Sequence, residues 1–166
     1  MIAVSIVLAV IFAKRGTFGP KLVVEDVFLL GKDGRLIMHT TRHQRADRDE
    51  DSLAGMVSAI MAFIRESYEE GDEEDFKSFT FTDRQVHVQR DTYFYFVSIY
   101  ADEPPESAQD SIAAITRDIE KGYGGVLEEW RGDASEVREL RAFTNAFVAR
   151  RRYRKGDWRR HATKAK

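Results

Sequence analysis

Residues 93–100 carry an apolar or aromatic side chain at almost every position, and this segment constrains the fold more than any other part of the chain. In a strand, successive side chains point to opposite faces of the sheet. A strand without polar alternation is therefore buried on both faces, in the middle of a sheet that has helices on each side. The sequence predicts a mixed α/β domain with this segment at its centre.

The other elements follow from hydrophobic periodicity and from turn residues. An Asp33-Gly34 pair marks the tip of a hairpin. Two prolines precede the first C-terminal helix, and a capping-box pattern at residues 133–136 opens the second. The predicted elements are strands over 23–30 and 35–41, a helix over 52–70, strands over 76–82, 85–90 and 93–101, and helices starting near 106 and near 133.

The predicted fold is a three-layer α/β/α sandwich with a five-stranded, mostly antiparallel sheet and the element order β-β-α-β-β-β-α-α. The first helix covers one face of the sheet, and the two later helices cover the other. The strands over 76–82 and 85–90 alternate between apolar and polar residues, which favours edge positions. Glycines at 122, 124 and 125 predict an interruption in the first C-terminal helix.

The first thirteen residues contain no charged side chain and are followed by Lys14 and Arg15. Such a run prefers hydrocarbon to water, and cations after it favour the cytoplasmic side. Thirteen helical residues rise only about 20 Å, so a half-span insertion or the end of a longer helix is expected. A strand or helix buried in the domain is the other interpretation. We predict a membrane-anchored protein whose domain lies on the cytoplasmic side, with anchor contacts at Ile6, Leu8, Ile11 and Phe12.

The formal net charge of −2 is distributed unevenly. Residues 22–149 have a net charge of −13, whereas residues 150–166 have a net charge of +8. A solvated tail is the first interpretation of this segment, and binding to an anionic membrane surface, which basic ends suit, is the second. Nucleic acid ranks third because the acidic domain repels phosphate. The predicted membrane-surface residues are Lys14, Arg15, Arg150, Arg151 and Arg152. The predicted organisation is an anchor over 1–15, a linker over 16–21, one domain over 22–149 and a basic, disordered tail over 150–166.

The predicted helix over 52–70 carries small residues opposite its apolar arc. Gly55, Ala59 and Ala62 follow the i, i+4, i+7 spacing of one helix face. A solvated face normally carries more charge, and a glycine costs about 1 kcal/mol relative to alanine within a helix. We therefore predict that these three residues bind a partner or a second copy of the chain. The high helix propensity of alanine is the competing explanation for Ala59 and Ala62.

The side chains that could act in catalysis or bind a metal ion form no arrangement typical of either role. His39 and His43 lie in a strand and the loop after it, where a four-residue spacing does not converge on a metal. The acidic run at 47–51 lacks the glycine and the terminal glutamate of a calcium loop. The glycines at 122–125 lack the lysine and the Ser/Thr of a phosphate-binding loop. We predict no enzymatic activity, no cofactor and no metal ion.

The order of the predicted elements resembles the longin fold and the related roadblock domains. The resemblance extends over residues 22–149, and it is carried by VEDVFLL at 24–30, KDGRLI at 32–37 and DEDSLAGM at 49–56. The chain resembles in particular membrane-anchored archaeal proteins with longin-like or roadblock-like domains. The resemblance implies a non-catalytic platform that pairs through its first helix or its sheet edges. It also implies small GTPases, or trafficking and signalling proteins, as partners.

Two classes of function follow from these observations. The first is a non-enzymatic, membrane-tethered protein-interaction module that pairs with itself or with another protein. The alternative is a domain that senses a small molecule or a signal, in which Tyr93, Tyr95 and Tyr100 line a pocket against the sheet.

Overall fold

The protein is described from a computed structural model, which covers residues 23–42, 50–68, 71–150 and 152–162. These residues form a mixed α/β fold with one five-stranded sheet, in which all neighbouring strands are antiparallel. The predicted class and the five-stranded sheet are confirmed. The strands are β1 (Val24–Gly31), β2 (Leu36–Thr41), β3 (Phe76–Phe81), β4 (Arg84–Arg90) and β5 (Phe94–Tyr100). The helices are α1 (Glu50–Ser67), α2 (Ser107–Glu129), α3 (Leu140–Ala149) and α4 (Arg159–Ala162).

The strands follow the order β2-β1-β5-β4-β3 across the sheet, so β5 is the central strand. All of its residues are buried except Tyr95, which is half-buried. The prediction that this segment occupies the middle of the sheet is therefore confirmed. The predicted edge position is correct for β3 but wrong for β4, which lies between β5 and β3. The sequence of β4 alternates between apolar and polar residues even though the strand is interior. Its Val86 and Val88 are buried, and its polar residues are half-buried.

The core consists of two clusters, because successive residues of β1 point to opposite faces of the sheet. Val27 and Leu29 belong to the α2–α3 cluster, which contains the inward residues of these two helices. Phe28 and Leu30 belong to the α1 cluster, to which α1 contributes. Ile112, Ile115 and Ile119 recur at helical spacing along α2 and are buried in the α2–α3 cluster, and Tyr123 on the same stripe is half-buried.

The tight turn between β1 and β2 has the predicted Asp-Gly tip. Gly34 adopts a positive φ of 84°, a conformation that glycine reaches without steric cost. The Asp33 Oδ1 atom accepts a hydrogen bond from the Arg35 backbone N–H at 3.1 Å. The Arg35 guanidinium also donates to the Arg131 carbonyl oxygen at 2.8 Å. The hairpin is thereby attached to the segment that follows α2.

The helix α2 continues through residues 122–125, so the predicted interruption at these glycines is wrong. Gly124 is buried, and a Cβ atom at this position would lie 2.9 Å from Cε2 of Tyr93. Glycine is needed there because the Tyr93 ring packs closely against the helix backbone. Helix propensity describes only the local preference of each residue, so it does not predict a contact with a ring from another part of the chain.

The helix α3 begins at Leu140, several residues after the predicted capping box. Residues 134–139 form turns, in which the Asp133 Oδ1 atom accepts a hydrogen bond from the Ser135 N–H at 2.8 Å. Asp133 therefore stabilises a local turn, and the helix starts later, where Leu140 is buried in the α2–α3 cluster.

Residues 152–162 lie against the domain, where the sequence predicts a solvated, disordered tail. Tyr153 is buried, and its hydroxyl donates to Oδ2 of Asp118 at 2.8 Å. The Gly156 N–H donates to the same oxygen at 2.7 Å. Trp158 stacks on Phe143 with 4.5 Å between the ring centroids. The aromatic residues of this segment decide its position, although the charge count alone favours a solvated extension.

The prediction of a membrane anchor needs correction. The anchor segment over 1–15, with Ile6, Leu8, Ile11, Phe12, Lys14 and Arg15, lies outside the described residues. Among the helices in the described ranges, none combines the length and the apolar character that crossing a bilayer requires. The predicted transmembrane helix and the membrane-anchored location are therefore not supported. Arg151 is also outside the described residues, while Arg150 is half-buried and Arg152 is exposed.

We expect Phe96→Ala to lower the free energy of unfolding by about 3 to 5 kcal/mol, because it leaves a cavity in the central strand. Phe96 is fully buried and packs edge-on against Phe147 at 5.0 Å between the ring centroids. Urea unfolding followed by circular dichroism measures the change. Leu36→Ala is the control, because the Leu36 side chain is 39% exposed. Similar losses in the two variants would contradict the central position of β5.

We expect Tyr153→Phe to lower the free energy of unfolding by about 1 to 2 kcal/mol, because it removes the hydrogen bond to the Asp118 carboxylate. Tyr93→Phe is the matched control, since its hydroxyl has no hydrogen bond to any described residue. Urea unfolding followed by circular dichroism measures the change in both variants. A loss in the control as large as that in Tyr153→Phe would mean that the attachment of the C-terminal segment does not depend on this bond.

Candidate functional site

The three residues predicted to bind a partner lie on the outer side of α1. Gly55 is exposed, and Ala59 and Ala62 are half-buried. A Cβ atom at Gly55 would meet no atom within 4 Å, so packing within the described residues does not require a glycine there. The structure brings the three residues together on one accessible face. Their role as partner contacts stays a prediction.

The described residues leave the α1 cluster incompletely covered. In the α2–α3 cluster, five packed hydrophobic residues are only partly buried: Phe76, Tyr93, Ala114, Tyr123 and Trp158. In the smaller α1 cluster there are nine: Leu53, Met56, Val57, Met61, Phe63, Tyr68, Phe79, Phe81 and Tyr95. The rings of Phe63 and Phe79 stack at 4.1 Å and link α1 to β3. A partly exposed apolar surface therefore continues from the helix to the edge of the sheet.

The strand β3 is an edge strand with an unpaired outer side among the described residues. The Arg90 N–H donates to the Asp75 carbonyl oxygen at 2.7 Å, which fixes the register of the ladder between β3 and β4. Backbone groups alternate in direction along an antiparallel pair. The N–H and C=O groups of Phe76, Ser78 and Thr80 consequently point away from β4.

Features that commonly protect an edge strand are scarce in β3. The strand contains no proline and no glycine. Its single charged residue, Lys77, forms an ion pair with Asp72 and donates a hydrogen bond to the Ser67 carbonyl oxygen. An edge whose only charge is already paired is open to another strand.

His39 is part of a pair with a buried carboxylate. Its Nε2 atom lies 2.9 Å from Oδ1 of Asp26, whose side chain is 1% exposed. The His39 ring also stacks on Phe28 at 4.5 Å. His43 lies outside the described residues, and no group of three potential ligands among the described residues is arranged to hold a metal ion. The partner of His39 is thus a residue of the neighbouring strand, which sequence spacing does not reveal.

The tyrosines of the alternative function do not line a common pocket. Tyr93 packs against the α2–α3 cluster, and Tyr100 is buried within it at 1% exposure. Tyr95 packs against the α1 cluster on the opposite face. The alternation of side chains along β5 therefore separates Tyr95 from Tyr100.

A polar cleft of about 470 Å³ lies at one end of the sheet, between α2 and the turns after β1 and β4. Burial raises the pKa of Asp91 to about 6. The Tyr93 N–H donates to the Asp91 Oδ1 atom at 3.2 Å, and this hydrogen bond acts in the opposite direction on the pKa. Burial and the nearby Arg90 guanidinium lower the pKa of Lys32. The Lys32 Nζ atom lies 4.2 Å from the centroid of the Tyr95 ring. Lys32 and Asp91 lie in turn segments of the sequence, and no sequence motif around them indicates the cleft.

Comparison with known proteins adds no family to these observations. No family model matches the chain, and no curated protein matches it. The longin-like and signalling assignments implied by the resemblance therefore gain no support from relatives, and a small-GTPase partner stays a prediction.

The titration of His87 and Asp91 predicts opposing effects of pH on stability. Burial lowers the pKa of His87 to about 4. Between pH 6.5 and 4 the unfolded chain binds a proton that folded His87 does not, so stability falls as pH falls. For Asp91 the folded state keeps its proton up to about pH 6, so stability falls as pH rises from about 4 to 6.

We therefore expect Asp91→Asn to make the free energy of unfolding rise more steeply between pH 4 and 6.5 than in the unmodified protein. His87→Gln should have the opposite effect, because of these two residues it leaves Asp91, whose contribution to stability falls as pH rises. Urea titrations at several pH values measure the slopes. Asp102→Asn controls for the loss of an exposed carboxylate. Parallel curves for the protein and both variants would contradict the expected titration.

Proposed function

We propose that this protein is a non-enzymatic interaction module that self-associates through the outer face of α1 and the adjacent edge strand β3. The observation that carries the proposal is the continuity of the incompletely covered α1 cluster with an open strand edge. Exposed apolar surface next to unpaired backbone groups favours association. The proposal includes the three-layer arrangement predicted from the sequence, which the division of the core into an α1 cluster and an α2–α3 cluster supports.

A second copy of β3 is a suitable partner for this edge. Two copies related by a two-fold axis pair antiparallel, and one register places Phe79 opposite its own counterpart. In that register Ser78 faces Thr80 of the second copy, and both residues direct their backbone groups outward. Lys77 faces Phe81 of the second copy, so no two like charges within β3 oppose each other. Aromatic and hydroxyl pairs of this kind stabilise antiparallel strands by about 0.2 to 1 kcal/mol each.

The same arrangement gives the small residues of α1 a role. Two copies joined through β3 bring their α1 helices to the same face of a continuous sheet. Gly55, Ala59 and Ala62 have little or no side chain, so they permit a close approach between helices. Burial of the partly exposed rings of Phe63 and Phe79 then contributes apolar area, at about 25 cal/mol per Å².

Ser78→Pro tests the strand pairing directly. Proline removes the outward N–H of residue 78 but breaks no ladder bond to β4, because that N–H points away from β4. Ser78→Thr is the matched control, since it keeps the N–H and favours strand conformation. We expect the unmodified protein and Ser78→Thr to have twice the chain mass of 19.1 kDa in sedimentation equilibrium, and Ser78→Pro to have the chain mass.

Ala59→Glu tests the helix face separately. A glutamate there places two like charges near each other in the dimer, so we expect a shift towards the monomer. Gln109→Glu is the control, because it adds the same charge at an exposed position of α2. If the unmodified protein is a monomer at all concentrations tested, or if both Ser78→Pro and Ala59→Glu leave its mass doubled, the proposal is wrong.

A further inference from the structure

Independently of self-association, we propose that the polar cleft beside α2 binds a small zwitterionic molecule, of the class to which free α-amino acids belong. The cleft presents cationic and anionic groups whose bonding capacity the fold leaves partly unused. Its volume of about 470 Å³ is within the usual range for small-molecule sites.

The cationic side of the cleft consists of Lys32 and Arg117. The Lys32 ammonium lies over the Tyr95 ring at 4.2 Å and has no ion pair with any described residue. Arg117 donates from Nε to the Ala113 carbonyl oxygen at 3.0 Å, which leaves its terminal nitrogens available. Arg90 also lines the cleft, but it is bound to Asp75 and is already neutralised. Lys32 and Arg117 are therefore the groups that can bind a carboxylate.

The anionic groups of the cleft are Asp75, which is paired with Arg90, and the carboxylates of Asp91 and Glu120. Asp91 uses Oδ1 to accept the Tyr93 N–H at 3.2 Å. Glu120 uses Oε1 to accept the Thr92 hydroxyl at 3.2 Å. The Thr92 backbone N–H also donates to the Asp91 carboxylate, whereas the second oxygen of Glu120 accepts no hydrogen bond from the described residues. The negative charge of Glu120 also raises the pKa of Asp91, so the two carboxylates repel each other, while the positive charge of Lys32 lowers the pKa of Asp91. An ammonium group bound near both carboxylates offsets this repulsion.

The mixture of charges disfavours ligands that carry a single sign. A phosphate or a dicarboxylate near Lys32 also meets the carboxylates of Asp91 and Glu120. A metal ion meets the carboxylates of Asp75, Asp91 and Glu120, but Asp75 is paired with Arg90, and the cations of the lining repel the ion. A molecule with separate ammonium and carboxylate groups satisfies both sides, because each of its charges meets an opposite charge of the cleft.

The experiment uses the twenty common free L-amino acids as probes in a thermal-shift screen of the full chain. The amino acid with the largest stabilisation is then titrated by calorimetry, together with its N-acetyl derivative and its carboxamide. We expect a saturable increase in Tm for at least one amino acid. We also expect both derivatives to bind about tenfold more weakly, because each lacks one of the two charges.

Variants locate the binding site. Lys32→Met and Asp91→Asn should each weaken binding about tenfold, whereas Lys121→Met, an exposed lysine of α2 outside the cleft, should leave it unchanged. Melting of each variant without ligand checks its folding, and Glu120→Gln replaces Asp91→Asn if that variant does not fold. Failure of all twenty amino acids to raise Tm overturns the proposal. Equal binding by the derivatives, or by the cleft variants, overturns it as well.

Discussion

The central strand β5 is buried on both of its faces, and this burial governs where the other elements lie. Its backbone is paired with β1 on one side and β4 on the other. Phe94 and Phe96 enter the α2–α3 cluster, while Val97 and Ile99 enter the α1 cluster. Each face of the sheet must therefore be covered by helices, because an exposed face of this strand would leave large apolar side chains in water.

The two faces are covered to different extents, and this difference gives the protein its candidate interaction surface. Helices α2 and α3, together with Tyr153 and Trp158, pack on one face. Among the described residues, α1 is the one helix that contributes to the cluster on the other face, and most of the hydrophobic residues of α1 remain partly exposed. The open edge of β3 adjoins the same face. The proposal of self-association therefore depends on the geometry of the sheet and its helices.

Parts of the candidate sites were predictable from the sequence, and other parts were not. The small residues of α1 were found because their spacing reports a single helix face directly. The cleft was not found, because Lys32, Asp91 and Glu120 are distant in the chain and meet only where two turns approach α2. The partner of His39 was missed for the same reason, since Asp26 lies on a neighbouring strand. Local spacing detects residues on one element, whereas sites built from several elements depend on strand register.

Local sequence patterns were enough to predict the α/β class, the five strands of the sheet, the central position of β5 and the tight turn at Gly34. These features depend on periodicity and on turn chemistry, which act over a few neighbouring residues. Tertiary contacts decided that β4 is interior, that α2 continues past Gly124 and that the basic segment lies against the domain. Each of these outcomes depends on a long-range contact, such as Tyr93 against Gly124 or Tyr153 with Asp118. Local propensity cannot anticipate them, because a single packed ring or buried hydrogen bond outweighs it.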